Sequence, residues 1–233
     1  MKILESSFKN VKLPLPIFTI FLLVCLILFP LKLNGQTDTL FQGSCDVGNL
    51  KHKGSYELVK ETVSFHLKGS GKNMWFTNDE FFIVWRKVKG NFKLNSTIEW
   101  IGKGVEPHRK AGLIIRENLE PGSKYISIAN HGDGLISMQY RPSKDSTTKE
   151  IKTVLTALSL LQMEKIDNKI TTRGAIKGNP LIEVGTLEMN FDSEEFYVGL
   201  FVCAHNPDVI EEAVFSNTTL TFHANKGTIN QSK

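Results

Sequence analysis

Eight side chains in this sequence combine the types needed to recognise a polar ligand. Trp75, Asp79, Glu80, Arg116, His131, Gln139, Arg141 and His205 fall at or near the ends of predicted strands. Fork-shaped donors and carboxylates bridge neighbouring hydroxyls, and an aromatic face covers the C–H side of a sugar ring. As a ligand-binding set they suit a carbohydrate. The same residues also have a structural use, with Trp75 capping a core and Arg116 pairing with Asp79 or Glu80.

Patterns for catalysis, metals and cofactors are missing. The sequence has no HExxH, no paired-Cys motif, no EF-hand loop and no GxSxG. His66, His108, His131 and His205 are scattered. Gly69-Ser-Gly71 reads as a glycine turn, because no Lys-Ser/Thr helix start follows it. A glycosidase needs two carboxyls facing one bond, roughly 5 or 6.5–9.5 Å apart. Asp79-Glu80 and Glu194-Glu195 are adjacent pairs, and neighbouring strand residues point to opposite faces. The expectation is therefore a binding protein without metal or cofactor. A glycan-active hydrolase or lyase is the alternative, if distant strands supply a second acid. A third reading is a non-catalytic envelope interaction module, which predicts a flat apolar surface patch.

The elements that must position these residues read as strands. Short runs of alternating apolar residues are separated by Gly, Asn, Asp and Pro, and helix signals are almost absent. Predicted strands are 56–60, 62–68, 80–88, 92–99, 111–116, 124–131, 135–141, 149–153, 159–166, 169–175, 182–189, 195–203 and 213–222. The segment 153–163 leaves room for a helical turn. This density of strands suits an all-β, two-sheet antiparallel sandwich.

Two hairpins can be given a register. A three-residue loop, Gly132-Asp133-Gly134, opposes Ile128 to Met138 and Ser127 to Gln139, so that apolar meets apolar and polar meets polar. Gly134 suits the left-handed position that closes such a loop. The polar face then carries Tyr125, Ser127, Gln139 and Arg141, with His131 at the tip. Asp167-Asn168 suits a tight turn between 160–166 and 169–175.

Residues 1–35 read as a signal peptide rather than part of the fold. Lys2, Lys9 and Lys12 precede an uncharged run from Leu13 to Leu31, and Gly35 offers a cleavage point. That places the protein in the periplasm or outside the cell, with no membrane span after cleavage. An uncleaved anchor, tethering it to a membrane, is the alternative, although Pro14, Pro16 and Pro30 shorten the usable helix. The sandwich is assigned to 36–224 and a polar tail to 225–233. The net charge of +4 belongs mostly to the leader; beyond residue 35 there are 24 basic and 23 acidic residues. That balance excludes a basic field for nucleic acid. Cys45 and Cys203 remain after cleavage, either as a disulfide or as two separate thiols.

Three segments carry a family resemblance: GSGKNMWFTNDEFFIVWRKVKGNF, RKAGLIIRENLEPGSKYISIANHGDGLISMQYR and FYVGLFVCAHNPDVIEEAVFSNTTL. They resemble jelly-roll domains of the concanavalin A-like lectin/glucanase superfamily, of the regulator-of-enolase-like kind, over about 45–222. Trp75 falls in that family's G-N-x-W stretch, Asp79 and Glu80 in its D-E/D-F, and Arg116 in its K-A-G-L-M-I-R. His131, Gln139 and Arg141 fall in its H-G-D-G-x-x-x-x-Q-Y-R. Ile115 stands where Met is usual. The resemblance implies a jelly roll and, through kin among levan-type carbohydrate-binding modules, a glycan-binding role. Bacteroidetes relatives often carry a TolB-type propeller. This chain has none, so a propeller partner would be a separate envelope protein.

Overall fold

The computed structural model describes residues 40–223. The expected signal peptide, its cleavage point and the polar tail lie outside the described residues. In chain order the strands are β1 (Gly43–Val47), β2 (Ser55–Val59), β3 (Ser64–Gly69), β4 (Phe81–Lys89), β5 (Asn91–Ile101), β6 (Lys110–Arg116) and β7 (Tyr125–His131). They continue as β8 (Leu135–Arg141), β9 (Lys149–Thr156), β10 (Leu160–Ile166), β11 (Lys169–Ala175), β12 (Ile182–Glu188), β13 (Glu195–Cys203) and β14 (Glu211–His223). Two seven-stranded antiparallel sheets result, in the orders β1-β4-β13-β6-β7-β8-β9 and β12-β11-β10-β5-β14-β3-β2. This is an all-β jelly-roll sandwich. Among the described residues no helix is long and apolar enough to cross a membrane.

The alternation read from the sequence fills the space between the sheets. Phe82, Val84, Leu113, Ile115, Ile126, Ile128 and Met138 of the first sheet meet Leu67, Phe92, Leu94, Leu161, Met163 and Phe215 of the second. The hairpin registers agree with expectation: Ile128 opposes Met138, Ser127 opposes Gln139, and Gly134 sits at φ 88°. Asp167 turns the β10–β11 hairpin with φ 52°.

Three features were not fixed by the sequence. β1 pairs with β4 at a sheet edge, but its Gly-Ser-Cys-Asp sequence lacks the apolar alternation that announces a strand. The helical turn allowed within 153–163 does not form. β9 runs on to Thr156, and the chain reverses at Ala157, whose φ is 56°. The polar face of the β7–β8 hairpin is also not an open groove. A second apolar cluster, including Met74, Phe81, Ile83, Ile114, Tyr125, Ala129 and Phe201, covers the outer side of the first sheet.

The cover is the connection from β3 to β4, residues 70–80. Tyr125 Oη donates to the Met74 carbonyl at 2.8 Å, Thr148 N–H to the Trp75 carbonyl at 3.0 Å, and Arg141 Nη2 to the Phe76 carbonyl at 2.8 Å. Met74 is fully buried beneath this loop, a contribution of about 1.5–3 kcal/mol. Gly71 starts the crossing at φ 110°, where a Cβ would collide with the Glu80 carbonyl.

Candidate functional site

The outer face of the first sheet divides into a sealed end and an open end. Strand register explains the division. One row runs Tyr197–Arg116–Tyr125–Arg141 across β13, β6, β7 and β8. At the other end of these strands, Cys203, Lys110 and His131 are aligned. Between these ends lie Ser127–Gln139–Glu150 and Ala129–Ser137–Lys152.

The sealed end holds three of the eight expected site residues. Asp79, Arg116 and Arg141 are each 0% exposed. Arg141 grips the Asp79 carboxylate with both Nη atoms at 2.7 Å, and Arg116 Nη1 adds a third bond at 3.2 Å. Their remaining donors go to backbone. Arg116 reaches the Asn118 carbonyl at 2.7 Å and the Glu120 carbonyl at 2.5 Å, while Arg141 reaches Ser146 at 2.8 Å and Ser123 at 3.1 Å. Tyr125 lies under both guanidinium groups, with ring centroids 6.0 and 5.1 Å away. Burial, with the adjacent Asp79 charge, raises the Tyr125 phenol and keeps it neutral. Arg116, Gln139 and Arg141 therefore do not converge on one open cavity. The two arginines spend their donors tying three loops to the sheet.

The open end is a cavity of 240 Å³ lined by Asn73, Trp75, His108, Lys110, His131, Leu135, Gln139, Glu150, Lys152 and His205. It unites four of the expected residues: Trp75, His131, Gln139 and His205. Glu80 lines a neighbouring opening of 590 Å³, where the exposed Phe76 also lies; Asn73 and His205 border both. The Glu80 carboxylate accepts the Lys72 backbone N–H at 3.1 Å.

The hydrogen bonds fix the state of the floor. His131 Nδ1 lies 2.9 Å from the Leu135 carbonyl. A carbonyl only accepts, so Nδ1 carries the proton and Nε2 is left to face the Gln139 amide at 3.4 Å. Burial, reinforced by the Lys110 charge, lowers His131 to about 4. Gln139 Nε2 also donates to Glu150 Oε1 at 3.0 Å, and Lys152 lies 3.4 Å from the other Glu150 oxygen. Burial raises Glu150, but these partners outweigh it and hold the group below the usual carboxylate range. His205 adopts φ 59°, in the left-handed region that few non-glycine residues occupy. Its ring stands 5.7 Å from His108, and burial together with Lys110 lowers its pKa.

Lys110, Asn73, His108, Glu150 and Lys152 were not among the expected residues. Alternation from Arg116 back through Ile114 and Gly112 puts Lys110 on the outer face, and the hairpin registers set it beside His131. Glu150 and Lys152 alternate on β9 in the same way. Asn73 reaches the cavity on a loop and leaves no periodic signal. Among the described residues, no three His, Cys, Asp or Glu are grouped to hold a metal ion. Cys45 and Cys203 are both free thiols.

Comparison with known proteins adds the fold. No family model matches the sequence, and none of the curated proteins does. Solved structures do match. A functionally unknown protein from Saccharomyces cerevisiae aligns with a TM-score of 0.57 and 13% identity, over 73% of this chain and 97% of its own. The GH43 protein BlXynB of Bacillus licheniformis aligns at 0.59 and 14%, over 80% of this chain and 38% of its own. The GH43B protein of a Bacteroides ovatus xyloglucan PUL aligns at 0.52 and 13%, over 72% of this chain and 34% of its own. This chain thus spans little more than a third of those two longer proteins, and what it shares with them is a β-sandwich of the concanavalin A-like class.

Proposed function

We propose that this chain is an exported, lectin-like sandwich that binds the end of a glycan in the cavity between the 70–80 loop and the β6–β9 end of the first sheet. The carrying observation is the cavity lining. The half-buried Trp75 offers an aromatic wall, and Lys110, Gln139, His131 and Lys152 add polar groups to the same lining. At 240 Å³ the space is below the roughly 300–1,000 Å³ of drug-sized sites, and it suits one sugar ring better than a polymer. The neighbouring opening beside Phe76 offers room for a second.

The resemblance to regulator-of-enolase-like domains and levan-type carbohydrate-binding modules supports this reading, as do the GH43 proteins that share the fold. Arg116, Arg141 and Asp79 belong in this account to the scaffold and not to the ligand set. Binding is favoured over hydrolysis because Glu150 is the one carboxylate in the cavity lining, and it is already engaged by Gln139 and Lys152. The sequence reading of residues 1–35 as a signal peptide supports a site in the periplasm or outside the cell, with a membrane tether as the variant if the leader is retained.

The test is titration calorimetry of the purified protein against a broad panel of plant and bacterial oligosaccharides, repeated with Trp75→Ala. Saturable binding that Trp75→Ala weakens at least about ten-fold, roughly 1.4 kcal/mol, supports the proposal. A folded protein that binds nothing in the panel would defeat it.

A further inference from the structure

The cavity is short of negative charge, and this identifies the class of glycan; the argument rests on the glycan-binding reading above. Lys110 opens β6 and is only 3% exposed. Its ammonium donates to Asn73 Oδ1 at 3.0 Å and lies 5.8 Å from the Trp75 ring centroid. Among the described residues no carboxylate stands within ion-pair distance of it. An ammonium has three donors, and a buried cation without a counter-ion is held at a cost that a bound anion removes.

The rest of the lining does not make up for this: burial lowers the Lys110 pKa, and the Glu150 and Asp79 charges that favour the ammonium do not outweigh it. Glu150 is committed to Gln139 and Lys152. His131 points its one N–H away, at the Leu135 carbonyl. Lys152 adds a second, more exposed ammonium at the rim. His108 and His205 stand together, 5.7 Å between rings, and His108 is 6.4 Å from the His131 ring. The sealed end of the same face shows the contrast, because there a buried carboxylate from the covering loop pairs with both arginines. At the open end that same loop presents Asn73, a neutral amide.

We propose that the ligand provides the anion: the group seated against Lys110 is an oxyanion substituent of a sugar, a uronic acid carboxylate or a sulfate ester, and the cavity selects acidic over neutral glycans. Trp75 would cover the ring face while Lys110 takes the substituent.

The test compares, at one ionic strength, a uronate oligosaccharide, its methyl ester, a sulfated oligosaccharide and neutral oligosaccharides. The acidic form should bind at least about ten-fold tighter than its neutral counterpart, as a charge-assisted hydrogen bond to a largely buried ammonium implies. Which of the uronate and sulfate arms binds distinguishes the two sources. The methyl ester removes the charge from the ligand, so the test does not depend on a variant that folds. Lys110→Met should bring the acidic-to-neutral ratio close to one. Equal affinity for ester and acid overturns the inference but leaves glycan binding standing. No binding in any arm overturns the glycan reading itself.

Discussion

Arg116 and Lys110 occupy the two ends of β6 on the same face, and the fold treats them differently. Arg116 sits under the 70–80 loop with a buried carboxylate, two backbone carbonyls and two aromatic rings around its guanidinium. Lys110 is nearly as buried but has one amide oxygen and an open cavity. One loop makes the difference, because it delivers Asp79 at one end and Asn73 at the other. A polar strand face thus becomes scaffold where the covering loop supplies the opposite charge, and a candidate site where it does not.

The strongest way to break this comparison is to remove the charge that seals the first end. Asp79→Asn leaves two guanidinium groups buried with only neutral acceptors, and the expected loss is about 3–5 kcal/mol of folding stability. Urea unfolding monitored by tryptophan fluorescence measures it. A loss below about 1 kcal/mol would mean the network behaves like a surface pair. If Asp79 were instead a ligand contact, glycan affinity of the folded fraction would collapse while stability changed little.

Acid should expose the open end next. An unfolded imidazole takes a proton near 6.5, whereas His131 resists until about 4 because burial and Lys110 oppose the charge. Glu150, Asp133 and the Leu135 carbonyl favour the charge but do not outweigh them. Between those pH values the unfolded chain binds more protons than the folded one. The stability owed to neutral His131 is therefore complete above pH 6.5 and is lost as pH falls toward 4, by about 3 kcal/mol at most. His205 is shifted in the same direction. Urea midpoints from pH 7 to 4.5 should fall more steeply in the wild type than in His131→Asn; parallel curves would place the His131 ring in water.

These contrasts also mark how far the sequence could be read. The β7–β8 register follows from period-two alternation and from Gly134, since a one-residue slip would oppose Ile128 to Ser137 and mix the apolar and polar faces. The same logic put Arg141 and Arg116 on the outer face. It carried no information on what covers that face, because the cover is an irregular loop anchored by Tyr125, Arg141 and Thr148, contacts that are distant in the chain. The sequence allows Asp79 to pair with Arg116, but the bidentate grip of Arg141 depends on a fold-wide juxtaposition. Lys110 was legible in principle, opposite His131 in an antiparallel ladder. Its residue type gives no cue, because a lysine at a strand end ordinarily lies in solvent.

The smallest expected effect asks whether the sealed end holds the open end's wall in place. Tyr125→Phe removes the hydroxyl that donates to the Met74 carbonyl at 2.8 Å and contacts Thr148 Oγ1 at 3.1 Å. A buried carbonyl loses its partner, so stability should drop by about 1–2 kcal/mol. Trp75 is the next residue, yet it keeps separate anchors in the Thr148 N–H on its carbonyl and Lys110 beside its ring. Glycan affinity should therefore change by less than about three-fold, under 1 kcal/mol, even as the unfolding midpoint moves. A larger loss of affinity, measured by calorimetry at a temperature where the variant is fully folded, would show that the covering loop transmits strain from Tyr125 to Trp75 and that the two ends act as one unit.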